Sequence, residues 1–288
     1  MRVLERNRRR RLILLLAPAG FGKSTLAATY ARETGATIVW LALRVGDEDS
    51  RRLFNRLRQA FVAAFGRDVV PALSEGLDEG ADGPGLARLL LVDVAQVPAT
   101  ESFVLVLDDY QVVHEAEEVH QAIDLLLNGL PDVGQVVIAT REPPPLSVHG
   151  LVVDERVLVL GAEDLRFTPE ETVFLRQQLG GDPSNDSRAE GWVAGILLGG
   201  APRQLGAADG SLVDTYVQRE VLAPLSADAR RWLETLALID TITPERAARL
   251  LGPGPWPARL AALADRCPFL VPDHKASYRL HALVREGE

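Results

Sequence analysis

Cysteine is almost missing from this chain. The single thiol, Cys267, rules out an internal disulfide and suits a reducing compartment. Its expected role is that of a small buried apolar residue and not of a nucleophile. Long apolar runs are also missing, and no stretch nears the roughly 20 residues needed to cross a bilayer. An excess of positive charge is missing as well: the net charge is −9, which excludes a general polyanion binder. The one basic cluster, Arg6 with Arg8 to Arg11, reads as a solvated lead-in to a strand and not as a nucleic-acid arm. What remains is ordinary globular material, 47% hydrophobic and 25% charged over 288 residues. That length buries one large core or two to three smaller ones. No internal repeat or low-complexity tail interrupts it.

Lysine is the most informative scarcity. Of 31 basic residues only Lys23 and Lys275 are lysines. A chain that otherwise uses arginine has a compact ammonium inside "APAGFGKST", where a guanidinium fork would collide with a tight turn around phosphate. The same stretch, preceded by arginines and Leu12–Ala17, imitates a secretory leader. A leader, however, needs an apolar core of roughly 7–15 residues, and here Pro18 ends the run after six. A short strand, a glycine turn and a helix make a P-loop in its expected context.

Further along, Leu12–Leu16 reads as a strand and Lys23–Thr34 as a helix. The β-branched run at 37–43 reads as a second strand. Leu53, Leu57, Phe61 and Phe65 recur every four residues, which predicts a helix over 50–65. The glycine- and acid-rich stretch 74–85 predicts a flexible loop, followed by a helix near 86–97. "FVLVLDDY" at 103–110 suits a strand buried on both faces of a parallel sheet. A helix at 116–129 and strands at 135–140 and 156–161 complete an α/β pattern. After residue 163 helices dominate, the first opened by Thr168, Pro169 and Glu171 as a capping box. Helices near 188–199, 211–223, 226–238 and within 244–264 precede two short strands around Asp273-His274-Lys275, as in a winged helix. The expected fold is an α/β P-loop NTPase with a parallel sheet of the ASCE type, followed by a helical domain and a winged-helix domain. The boundaries expected are 1–163, 164–215 and 216–288.

The chemistry follows from three places. The amides of Ala19, Gly20, Phe21, Gly22, Lys23 and Ser24 are expected to wrap a β-phosphate at the positive end of a helix. Lys23 would bridge β- and γ-phosphates, Ser24 would ligate Mg2+, and Thr25 would lie near the α-phosphate. Ala17 stands where the first glycine of the motif usually sits, which a negative φ would tolerate. Asp108 and Asp109 end a buried strand where ligands of open α/β sheets bind. Asp108 is expected to hold the metal's water shell and Asp109 to orient or activate the attacking water. Arg141, at the end of the next strand, is expected to touch the γ-phosphate.

"APAGFGKSTL", "VLVLDDYQVV", "VVIATREPPP", "DLRFTPEET" and "EGWVAGILL", in this order, resemble the ATPase module of MalT-like transcriptional activators. These belong to the STAND class of signal-transduction ATPases. "YVQREVLAPLSADARRWLETLALID" and "YRLHALVRE" resemble that family's winged-helix region, so the likeness runs from about residue 10 to the end. The resemblance implies a nucleotide-binding domain, a helical domain and a winged helix closed around ADP at rest. It implies a phosphate loop at Ala17–Thr25, acids at Asp108 and Asp109, and a sensor at Arg141. The family's nucleotide-facing Gly-x-Pro element corresponds to Gly191-Trp192-Val193, without its proline. The histidine that latches the β-phosphate corresponds to His281. It further implies ATP or ADP with Mg2+ as ligands, self-association on ATP, a cytoplasmic location without membrane contact, and an inducer or sensor domain outside this chain. Ending at Glu288, the chain reads as an excised module or a minimal member. Residues 220–288 balance nine basic against nine acidic side chains, so no DNA grip by this region is expected.

Three functions stay open at this level: a slow ATPase used as a regulatory switch, a P-loop ATPase that drives DNA or protein remodelling, and a non-hydrolysing ATP-binding module. A fold cannot choose among them. His281 and the appended helical and winged-helix regions favour the switch.

Overall fold

A computed structural model describes residues 10–179, 190–199, 215–267, 269–273 and 277–280. The chain divides into two compact units, Met1–Leu16 with Lys23–Gly161, and Ala17–Gly22 with Ala162–Glu288.

The first unit is built on five parallel strands: β1 (Leu12–Leu16), β2 (Thr37–Ala42), β3 (Phe103–Asp108), β4 (Gly134–Thr140) and β5 (Val157–Leu160), in the order β2-β3-β4-β1-β5. β4 therefore separates the strand before the glycine turn from the strand that ends in two acids, which is the ASCE arrangement. β3 and β4 are buried throughout, as near-continuous apolar strands covered on both faces should be. Alternate residues feed two cores. Leu105, Leu107, Val136 and Ile138 pack against helices α2 (Ser50–Phe65), α3 (Pro71–Glu79), α4 (Gly83–Val94) and α5 (Glu117–Gly129). Val104, Val106, Val137 and Ala139 face Ala27, Tyr30 and Ala31 of α1 (Lys23–Thr34). Phe61 of α2 meets Phe103 edge to face at 5.5 Å, so the four-residue spacing read from sequence does face the sheet.

One expectation fails here. Residues 74–85 form no loop; they hold most of α3 and the start of α4. Pro71 supplies the first turn of α3, and the buried carboxylate of Asp93 accepts the amides of Ala72 and Leu73 at 3.0 and 2.8 Å. A cap twenty residues away stabilises a helix whose own sequence is glycine- and acid-rich. Gly80, with φ 84°, ends it in the left-handed region. Asp82 then caps α4 through Gly85 N, which moves that helix three residues earlier than expected.

The first unit also holds the short helix α6 (His149–Val153), before β5; in the second unit α7 (Ala162–Leu165) leads to α8 (Pro169–Gln178). The capping box of α8 is complete: Glu171 N donates to Thr168 Oγ1 and Thr168 N to Glu171. α9 (Val193–Gly199) follows, then a π-turn at Val217–Leu222, α10 (Ala227–Leu236), α11 (Pro244–Leu251) and α12 (Trp256–Arg266). β6 (Leu270–Asp273) and β7 (Ser277–Leu280) pair antiparallel, and Tyr278 bridges to Ile242. Arg259 lies over both Trp232 and Trp256, at 5.0 and 5.1 Å from the ring centres. Cys267 is buried, and burial pushes its thiol up to about 11, consistent with an inert packing residue.

Candidate functional site

Candidate functional residues lie in two local structures, one within each unit. In the first, the carboxyl ends of adjacent strands bring the charged residues together. Leu16 of β1 pairs with Thr140 of β4, and Leu107 of β3 with Ile138, so Arg141 emerges between the glycine turn's strand and the acid pair. Ser24 at the start of α1 donates to Asp108 Oδ1 at 3.0 Å, and Asp109 N donates to the same oxygen at 3.0 Å. Burial is the main influence on Asp108 and raises its carboxyl above the ordinary range, against the pull of Ser24.

Lys23 is 8% exposed. Burial, then Arg141, hold its ammonium down to about 8, while Asp109 and Asp108 pull the other way. Two cations and two carboxylates thus share one small volume at the strand ends. Such a cluster suits a polyanion that arrives with its own divalent ion. One hydroxyl and one carboxylate also fit Mg2+, which takes few protein oxygens and keeps water and phosphate for the rest. Among the described residues no group of three or more His, Cys, Asp or Glu forms an all-protein metal cage.

Asp109 adopts φ 56°, ψ 42°, a left-handed conformation unusual outside glycine. It opens a 3-10 turn, Tyr110–Val113, that is pinned from both ends. His120 Nε2 lies 2.8 Å from the carbonyl of His114, so it must donate there, and Nδ1 then accepts the hydroxyl of Tyr110 at 3.0 Å. Gln111 Nε2 donates to Asp109 Oδ1 at 2.8 Å, while Gln111 Oε1 accepts the backbone amide of Arg141 at 3.1 Å. Neither Gln111 nor His120 was signalled by sequence, since a lone carboxamide or histidine beside an acid pair has no motif.

The second structure is the glycine turn with its supports in the second unit. Gly20 and Gly22 have φ of 81° and 78°, which explains both glycines; Ala17 is not among the positive-φ residues, which explains why it is tolerated. A Cβ on Gly20 would lie 2.6 Å from both Ala194 Cβ and Trp192 Nε1. Trp192 Nε1 donates to Ala19 O at 3.1 Å, and Ala194 N donates to Gly20 O at 2.9 Å. Arg166 covers the ring of Phe21 at 5.5 Å. Gly191, φ 77°, is held against Phe167, whose carbonyl a Cβ would meet at 2.5 Å. Gly191 thereby aims Trp192 at the turn, and Trp192 also meets Phe269 edge to face at 5.1 Å. Thr25 is exposed on α1. His281 lies outside the described residues.

The MalT winged helix domain matches residues 218–287. The transcriptional regulator MalT of Cronobacter sakazakii is 29% identical over 285 residues, across 90% of this chain and 31% of that protein. The chain has the fold of a STAND protein with a tetratricopeptide repeat sensor from Pyrococcus horikoshii, at TM-score 0.53 and 20% identity, over 99% of this chain and 41% of that one. The chain is similar to MalT regulators and shares the fold of that STAND protein.

The chain also resembles the serine/threonine-protein kinase PknK of Mycobacterium tuberculosis, 27% identical across 99% of this chain and 27% of the kinase. It spans less than a third of either full-length relative. Among the described residues no helix is long and apolar enough to cross a membrane.

Proposed function

We propose that this MalT-like chain is the nucleotide-operated switch of a transcriptional regulator, binding ATP or ADP with Mg2+ and resetting itself by slow hydrolysis. The observation that carries the reading is the 3.0 Å bond from Ser24 to Asp108, beside buried Lys23 and with Arg141 directly after the intervening strand. A hydroxyl at the helix start and a carboxylate at a strand end are the two protein ligands that a phosphate-bound Mg2+ uses. When bound, that ion would neutralise charge between the phosphates.

In this reading the amides of Ala19 to Ser24 and the ammonium of Lys23 hold the phosphates, and Thr25 lies near the α-phosphate. Ser24 and Asp108 would hold the Mg2+, and Asp109 would orient or activate the attacking water. Arg141 contacts the γ-phosphate. Gly191 and His281 are proposed as further nucleotide-binding residues. The working division is a nucleotide-binding domain at 1–163, a helical domain at 164–215 and a winged helix at 216–288. Self-association on ATP, an inducer or sensor domain elsewhere in the full protein, a cytoplasmic site of action and no DNA grip by this region complete the proposal.

The remodelling-ATPase and non-hydrolysing readings are separated by two measurements. ADP retained through purification together with slow turnover supports the switch; an empty site with fast turnover favours the motor. Asp109→Asn is expected to bind ATP normally and lose hydrolysis by about a hundredfold or more. Unchanged turnover in that variant overturns the role of Asp109, and ATP binding without any wild-type turnover favours the non-hydrolysing module.

A further inference from the structure

We infer that Gln111 is a positioning residue that couples Arg141 to Asp109, so that a γ-phosphate met by the arginine is reported to the acid through one side-chain amide. The inference rests on the roles proposed above for those two residues. Its basis is a matched pair of hydrogen bonds, Gln111 Nε2 to Asp109 Oδ1 at 2.8 Å and Arg141 N to Gln111 Oε1 at 3.1 Å. The amide's orientation follows from its neighbours. A backbone N–H can only donate and an ionised carboxylate can only accept, so the oxygen must face Arg141 and the nitrogen must face Asp109.

Few side chains can do this. A carboxylate at 111 would repel Asp109, and an alkyl group would leave both partners without the bridge. The bridge also acts on a strained link. Asp109 sits at φ 56°, and its 3-10 turn is anchored at Tyr110 by His120. Holding one carboxylate oxygen from Gln111 therefore sets where the other points. Arg141 follows β4 directly, at Thr140. When its guanidinium is drawn to a phosphate, its own amide moves with it, and the 3.1 Å contact loosens or turns. The carboxamide then releases or redirects Asp109. The strand between the glycine turn and the acid pair thus carries the message, with no wider rearrangement needed.

The test uses the 288-residue chain with Gln111→Ala and Gln111→Glu. Calorimetry is expected to give ATP and ADP affinities within about twofold of wild type, while kcat falls about ten- to a hundredfold through misplacement of the acid. Gln111→Glu supplies a readout that a packing role would not move. A protonated glutamic acid presents the same donor and acceptor as glutamine. Its kcat relative to wild type should therefore climb towards one as pH falls from about 8 to about 5.5, as protonation restores the bridge. A flat ratio, or Gln111→Ala turning over like wild type, overturns the inference. Nitrogen-15 resonances of the Gln111 side-chain amide and the Arg141 backbone amide give a second readout free of turnover. Both should shift with a non-hydrolysable ATP analogue and Mg2+ but not with ADP; equal response to the two nucleotides overturns the coupling. Wild type that binds nucleotide without turnover overturns the hydrolytic reading alone, and the resonances then decide the coupling. Wild type that gives no nucleotide heat overturns the site and the inference together.

Discussion

If Lys23 grips phosphate, nucleotide binding must take up protons at mildly alkaline pH. In the folded chain this ammonium is held from 10.5 down to about 8, first by burial and then by Arg141. That difference is worth about 3 kcal/mol of penalty on the charged form. Because the folded pKa of this base lies below its unfolded value, the penalty is complete below about pH 8 and fades as pH rises towards 10.5. A triphosphate supplies the missing counter-charge and returns the lysine to its ordinary range. At about pH 8 half the sites start neutral, so each nucleotide bound should carry in about half a proton; at about pH 9 the uptake approaches one. Near pH 6.5 the lysine contributes almost none. Affinity should correspondingly weaken about tenfold between roughly pH 7 and 9. Calorimetry in two buffers of different ionisation heat measures the uptake directly. Buffer-independent heat at about pH 9, with an affinity flat across that range, would refute a neutralised lysine in the cradle.

Two further outcomes test the architecture that aims these groups. Trp192→Phe removes the indole donor to Ala19 O while keeping a ring against Phe269, and should cost about 1–3 kcal/mol for a buried carbonyl deprived of that partner. A thermal melt should fall by about 2–4 °C for each kcal/mol in a chain of this size, and an unchanged melt refutes the tie. Asp93→Ala strips both capping bonds from α3 and should destabilise by about 2–4 kcal/mol. Hydrogen exchange should show the loss first in the amides of residues 72–79; protection there equal to wild type would show that the helix holds without its distant cap.

Local chemistry was readable one residue at a time. Gly20 and Gly22 with their positive φ, Thr168 with its reciprocal cap, and the every-fourth-residue face of α2 each obey rules that act within a few positions of chain. An uninterrupted apolar run before two acids likewise announces a doubly covered strand, because a parallel sheet flanked by helices hides both faces of the chain from water. Where partners lie far apart in sequence, the same reading fell short. Residues 74–85 look like a loop in sequence, since nothing nearby shows that Asp93 folds back to cap Pro71–Glu79. Gln111 has no local signal; its importance exists only once β4 lies beside β3 and brings the amide of Arg141 within 3.1 Å. The sequence singles out Gly191-Trp192-Val193 but does not show that the indole reaches Ala19. Strand and helix identity depend on periodicity and caps, which are short-range and written along the chain. Which carboxylate meets which amide depends on strand order and on burial that removes competing water, and these arise only when distant segments pack.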